Sequence, residues 1–259
     1  MTSVLGRSDG RARGAATAGI LALAEGTGSG AGARLAPGVE AWLASPEDGL
    51  KARIESVRGV EQTRRALGRL APSSLAVAGA AASESAYWAE VERRAAGGQD
   101  ETCLVGMSFE PAGRVSRLVW LRAPRVPARD LDPGTGAPDA RPVLEGYFAD
   151  LMSSRFRQAA ARFTRDTIYS HPPYAGGSAR VLFEGREALW RGFARERGPS
   201  PARQIITDLW QQGAWAFVEG VVEGIPDGGT FFSTAQITDE GEIARYVAFY
   251  AAATRVPRR

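Results

Sequence analysis

The chain has 259 residues, 44% of them hydrophobic, and a formal net charge of +3. That apolar content supports a real core, and the length is ample for two domains of about 110–130 residues each. Basic residues are scattered, with no dense Lys/Arg run interleaved with aromatics, which argues against nucleic-acid binding. No apolar run is long enough to span a membrane, so a cytoplasmic protein without a membrane partner is expected.

Lys51 is the only lysine, and Arg, Ala and Gly abound, a bias that points to a high-GC bacterial genome. Cys103 is the single cysteine, so an intrachain disulfide and a Cys-x-x-Cys metal site are both excluded; it is expected to be a small buried hydrophobe. His171 is the only histidine, which excludes a zinc site built from several imidazoles, and neither metal nor cofactor is expected.

In chain order, residues 1–12 read as a flexible N-terminus and 13–123 as a first domain. Arg7, Arg11 and Arg13 followed by Ala15–Ala24 imitate a secretory signal. Ile20 and Leu23 nevertheless align with Phe148 and Leu151 further on, so the segment is read as an opening helix. Gly26–Gly32 replaces part of a second helix, where each glycine costs about 1 kcal/mol relative to alanine. A strand meander runs from Tyr87 to Ala123. Pro124–Pro142, rich in Pro, Gly and Asp, reads as a linker.

Residues 143–259 form the second domain. Val143, Leu144, Tyr147, Phe148 and Leu151 mark an amphipathic helix, and Phe156, Ala159, Ala160 and Phe163 a second. Thr167–His171 is a short strand that ends at Pro172-Pro173. After an extended piece at Val181–Phe183 and a helix over Gly185–Ala194, the period changes to two. Gln204–Gln212, Trp215–Gly224, Thr230–Thr238 and Ile243–Ala251 are predicted as four antiparallel strands joined by Gly-rich turns.

The two domains look like copies. Leu35–Val39 precedes Phe163–Thr167 by 128 positions, as Gly113–Arg117 precedes Gly241–Arg245, while Arg58–Glu61 and Glu184–Glu187 are offset by 126. Helices and then a meander define an α+β domain with helices covering one face of a curved antiparallel sheet. This order, with the His-Pro strand end, the Gly-Arg-Glu-Ala helix and the closing Gly-Glu-Ile-Ala-Arg-Tyr-Val-Ala-Phe-Tyr strand, resembles the NTF2-like superfamily, especially its SnoaL-like and ketosteroid-isomerase-like branches.

The resemblance implies two tandem cone-shaped barrels, each enclosing a pocket, and pairing of the two through their sheets, a further homodimer remaining open. Tyr147 matches the oxyanion tyrosine of ketosteroid isomerases. His171 stands where their catalytic aspartate would be, 24 residues on, and Ser233 at their second oxyanion donor. The 128-residue offset carries these three onto Gly19, Leu43 and Val105, so the first copy is expected to be a silent partner.

An imidazole is a base near neutrality and a phenol a good donor to a developing enolate oxygen, so Tyr147, His171 and Ser233 are the candidate catalytic residues. Tyr169 shares parity with His171, and with Trp210, Phe217, Glu219 and Phe231 it is a candidate for contact with a substrate. Trp190 and Trp215 read as core or pocket wall. Glu219 and Glu223 share a strand face, either towards the pocket or towards the outer surface and a partner sheet; Asp208 is the other meander acid. Arg245, matched by Arg117, reads as structural.

The leading expectation is cofactor-independent acid/base chemistry on a small, apolar, carbonyl-bearing molecule, as isomerase, cyclase or dehydratase in bacterial specialised metabolism. The alternatives are a non-catalytic binding or assembly module, and an epoxide hydrolase or epoxide-opening cyclase, which needs a carboxylate pair in the pocket.

Overall fold

The computed structural model describes residues 35–44, 54–69, 74–94, 100–131, 137–174, 180–225 and 228–251. The expected opening helix at 15–24, the glycine run at 26–32 and the flexible stretch 1–12 lie outside the described residues. Each half of the chain builds an α+β unit on a six-stranded sheet.

The first unit comprises β1 (Leu35–Ala44), β2 (Ile54–Arg58), α1 (Val60–Arg69), β3 (Ser74–Ala82), β4 (Ala86–Arg94), β5 (Glu101–Phe109) and β6 (Val115–Pro124). The second comprises α2 (Ala140–Met152), α3 (Phe156–Ala161), β7 (Phe163–His171), β8 (Val181–Glu184), α4 (Arg186–Gly192) and β9 to β12 (Arg203–Gln212, Trp215–Glu223, Thr230–Ile237, Ile243–Ala251). A π-helical turn, Phe193–Arg197, prolongs α4. Strand orders are β2-β1-β6-β5-β4-β3 and β8-β7-β12-β11-β10-β9.

The sheets are open and mixed. β1 lies parallel to β6 and β7 parallel to β12, every other neighbour being antiparallel. The meander intervenes in sequence between those two strands, and the last strand returns beside the first in the same direction. The ladders also break at equivalent places: Leu35/Glu40 and Phe163/Ile168 flank the parallel-pair irregularity, Val77/Gly79 and Ile206/Asp208 the outer one, and Ser108/Phe109 and Gln236/Ile237 the inner one. Gly113 (φ 73°) and Gly241 (φ 78°) hold equivalent hairpins in the left-handed region.

Helix α2 begins at Ala140, three residues before the apolar periodicity starts. The Asp139 carboxylate accepts from the Arg141 N–H, and Pro142 sits in the first turn, where its missing donor is no loss. Ala140, Leu144, Tyr147, Phe148 and Leu151 then bury one stripe against the inner face of the second sheet.

The opposite face of each sheet packs on the other unit. Trp42, Trp88, Leu104, Val119 and Leu121 of the first unit meet Phe217, Phe232, Val247 and Phe249 of the second in one buried cluster. Trp88 stacks on Trp210 at 4.8 Å, and Trp215 lies over Gly79, where a Cβ would stand 2.2 Å from the ring.

Two buried ion pairs cross this apolar layer. Arg117 donates from both Nη atoms to Glu219 (2.8 and 2.6 Å), and Arg245 likewise to Glu90 (2.9 and 2.6 Å), which also accepts from the Thr234 hydroxyl at 2.5 Å. Arg117 and Arg245 are equivalent positions, as are Glu90, paired with Leu104, and Glu219, paired with Phe232. Each unit therefore gives its arginine to the other's glutamate, the reciprocity of a self-complementary interface.

The stretch read as a linker is docked where it is described. Arg245 donates to the carbonyls of Val126 and Pro127 (both 2.8 Å), Arg129 and Gln236 exchange hydrogen bonds at 2.8 and 2.9 Å, and Arg129 pairs with Asp166.

Truncating one member of a buried pair strands its partner's charge. Glu90→Ala, which also frees Thr234, is expected to lower the stability measured by urea unfolding by about 3–5 kcal/mol. Asp239→Ala on the exposed hairpin should change it by no more than about 0.5 kcal/mol.

Candidate functional site

Strand parity divides the residues of the second sheet between its two faces. On β7, Tyr169 and His171 point inward, while Ile168 packs with the interface. On β11, Phe231 and Ala235 belong to the inner core and Phe232 to the interface; on β12, Tyr246 and Ala248 are inner, Val247 and Phe249 outer. The inner face and helices α2–α4 enclose an aromatic interior with hydroxyls set among the rings.

Those hydroxyls form a chain. Tyr147 on α2 donates to Tyr169 on β7 at 3.3 Å, and the hydroxyls of Tyr169 and Tyr174 are 3.2 Å apart. The His171 ring lies parallel to Tyr169 (6.1 Å between centroids, 3° between planes) and 4.7 Å from Tyr174. Tyr169 also stacks on Tyr246 at 5.3 Å. Tyr246 Oη and Ser233 Oγ lie together, buried, with no well-formed hydrogen bond to either.

Electrostatics keep the site neutral in its own groups. Burial pushes the phenols of Tyr147, Tyr169, Tyr174 and Tyr246 above their ordinary value, so all remain protonated donors. Burial drives the His171 imidazole down to about 4, opposed by its hydrogen bond to the Pro172 carbonyl and assisted by the positive charges of Arg180 and Arg197. That bond, Nδ1 to Pro172 O at 2.6 Å, assigns the proton of the neutral ring to Nδ1 and leaves the Nε2 lone pair available.

The fold thus brings Tyr147, Tyr169, His171, Ser233 and Phe231 to one interior. It carries three other predicted contact residues to the opposite face. Phe217 is in the interface core, Trp210 stacks on Trp88, and Glu219 is held by Arg117. Alternation along β10 puts Phe217 and Glu219 on one side and Ala216 and Val218 on the other, but a period of two does not say which side is the interior. Glu223 pairs with Arg203 at the edge, and Asp208 is exposed. Tyr174 and Tyr246 are the site residues that sequence reasoning missed: one lies just past the Pro-Pro break, and the other shares inward parity with Ala248.

The first unit's inner face contrasts at four of these places. Ala41, Leu43, Val105 and Leu118 occupy the positions of Tyr169, His171, Ser233 and Tyr246, all buried and apolar. Cys103 is buried there too, and burial raises its thiol to about 12. Among the described residues no three His, Cys, Asp or Glu side chains gather as a metal site, and no helix is long and apolar enough to cross a membrane.

No family model matches the sequence, and no curated protein does. Solved structures similar to this chain include proteins described as NTF2-like and a de novo designed protein with a curved β-sheet. A candidate ketosteroid isomerase from Kribbella flavida DSM 17836 is 21% identical, covering 48% of this chain and 87% of its own, with a TM-score of 0.37. A candidate polyketide cyclase (SMa1630) from Sinorhizobium meliloti is 19% identical over 41% of this chain and 93% of its own, with a TM-score of 0.35. The epoxide hydrolase/cyclase-like enzyme SalBIII, of pyran ring formation in the polyether salinomycin, is 17% identical over 43% and 90%, with a TM-score of 0.36.

His171 gives the protein a pH signature. With a folded pKa of about 4 and an unfolded value of 6.5, only the unfolded chain binds this proton between those limits, so the contribution is complete above pH 6.5 and lost as pH falls towards 4. Over that window the loss amounts to at most about 3 kcal/mol. Urea titrations of wild type and His171→Gln should therefore converge as the pH drops from 6.5 to 4. A constant gap would mean that the imidazole is not held neutral.

Proposed function

We propose that the second unit binds a small, largely apolar, carbonyl-bearing molecule in this interior and moves a proton on it, as an isomerase, cyclase or dehydratase does. The first unit serves as a silent structural partner. The observation that carries the reading is the hydroxyl chain Tyr147–Tyr169–Tyr174 ending against the only imidazole.

In this reading the carbonyl oxygen accepts from the phenols, and the adjacent C–H faces Nε2 of His171. Tyr169 is the node: accepting from its neighbours leaves its own O–H to donate and strengthens it, while Tyr147 orients it and Tyr246 and Ser233 supply spare hydroxyls. As the C–H bond breaks, the proton passes to Nε2 and the electron pair into an enolate, whose oxygen the phenols stabilise. The imidazolium then returns the proton to carbon, at another position in an isomerisation. A base of about 4 has the strength of an ordinary carboxylate, so histidine here does the work of an aspartate without adding a negative charge to an apolar interior.

Epoxide opening is less well supported. It calls for carboxylates beside the base, but Glu219 is bound to Arg117 and Asp208 is exposed. A purely binding module would use the same hydroxyls without the base.

Exchange of α-protons in D₂O, monitored by NMR over a panel of cyclic ketones and enones, separates these readings. Wild type should catalyse exchange on at least one compound. His171→Gln should reduce it by about 10²-fold or more, and Tyr169→Phe by about 10²-fold. Ketones that bind without exchange would leave a binding module; exchange untouched by His171→Gln would remove the base.

A further inference from the structure

Strand β7 ends on His171, and its ladders stop one residue short of those in the first unit. There the equivalent strand is paired as far as Leu43 with Trp120 on one side and Ala44 with Ile54 on the other. In the second unit the last pairs are Ser170 with Val247 and His171 with Val181. The equivalents of Leu43–Trp120 and Ala44–Ile54, which would be His171–Ala248 and Pro172–Arg180, are not formed. Pro172 accounts for the second loss, since it has no N–H to give. The imidazole therefore sits at a strand end that the ladder secures only towards β8.

The side chain of Arg180 spans the gap. Arg180 directly precedes Val181, the partner of His171, and reaches across β7 on the interface side of the sheet. Its Nε donates to Ser170 Oγ at 2.7 Å and its Nη2 to the Ala248 carbonyl, while the guanidinium lies 5.7 Å from the centroid of the Phe249 ring. Ala248 is the residue whose first-unit counterpart, Trp120, pairs with Leu43. The arginine thus ties β8, β7 and β12 together beside His171, through a serine that is fully buried. The first unit has Trp42 and Ile54 at the positions of Ser170 and Arg180, so this tie belongs to the unit that carries the histidine.

We propose that Arg180 is a positioning residue for His171, stapling the end of β7 onto β12 from behind the sheet so that the imidazole keeps its place against Tyr169 and Tyr174. This rests on the reading of His171 as the base and adds what holds it. Tyr169 and Tyr174 stack on the ring, Tyr147 and Tyr246 lie against Tyr169, and Arg180 and Arg197 are the charges whose fields reach the imidazole. The Arg180 charge opposes protonation of the ring and so helps to keep the Nε2 lone pair free. A guanidinium combines the two effects, because its fork fixes geometry and it stays charged at neutral pH even where burial lowers it to about 9.

The test reads the single histidine of the full chain by proton and nitrogen NMR, and then the exchange reaction on ketones. Arg180→Lys keeps the charge and loses the fork. It should leave the His171 pKa within about 0.3 of wild type, populate the Nε2–H tautomer beside the Nδ1–H form, and lower kcat about tenfold with KM within about twofold. Arg180→Met should change the tautomer and kcat in the same way and also raise the His171 pKa by about one unit. Ser170→Ala removes one contact of the staple and keeps the charge; it should shift the tautomer to a smaller extent and lower kcat about threefold, and it decides the matter if the Arg180 variants do not fold. Tautomer and kcat unchanged in the folded variants overturn the proposal, whatever the pKa does, and leave Arg180 as interface packing. The NMR signals need no ligand, so an exchange panel without any reaction removes the proton-transfer reading and leaves the staple to be judged on the tautomer alone.

Discussion

The crossed pairs Arg117–Glu219 and Arg245–Glu90 govern how the molecule is put together. Four charges are buried between two sheets, in a layer otherwise made of tryptophan, phenylalanine and aliphatic side chains. Both pairs are bidentate, and around Arg245–Glu90 the further lone pairs and donors are occupied by Thr234, Val126 and Pro127, whereas Arg117 Nε has no hydrogen-bond partner among the described residues. Hydrophobic area supplies the attraction, and the ion pairs specify the register, since a slip of one residue would leave each charge facing a ring.

Once one face of each sheet is committed to that contact, only the other face is left to enclose an interior. The two units use it differently. In the first, the positions equivalent to Tyr169, His171, Ser233 and Tyr246 are alanine, leucine, valine and leucine, all part of the core. In the second they carry hydroxyls and an imidazole. The interface positions keep their chemistry in both units, Arg for Arg and Glu for Glu, whereas the inner positions do not.

Inside the second unit the governing effect is desolvation. It keeps four phenols protonated and one imidazole neutral, so the site holds donors and a lone pair without a formal charge of its own. Arg180, held on Ser170 and the Ala248 carbonyl, and Arg197 add positive charge that further disfavours the imidazolium.

Element order, the spacing between Tyr147 and His171, the equivalence of Arg117 with Arg245, and the strands of the second meander to within a residue or two were all legible along the chain. Each of them arises from local periodicity, turn chemistry or fixed offsets in sequence. Alternation defined two faces for every strand, but which of them lay inside was settled by packing, because either face of β10 is apolar enough to be buried. Packing moved Phe217, Glu219 and Trp210 to the interface and brought Tyr174 and Tyr246 into the site. The parallel placement of β7 beside β12, the docking of residues 124–131, and the depressed basicity of His171 likewise come from contacts between residues far apart in sequence, which no local pattern encodes.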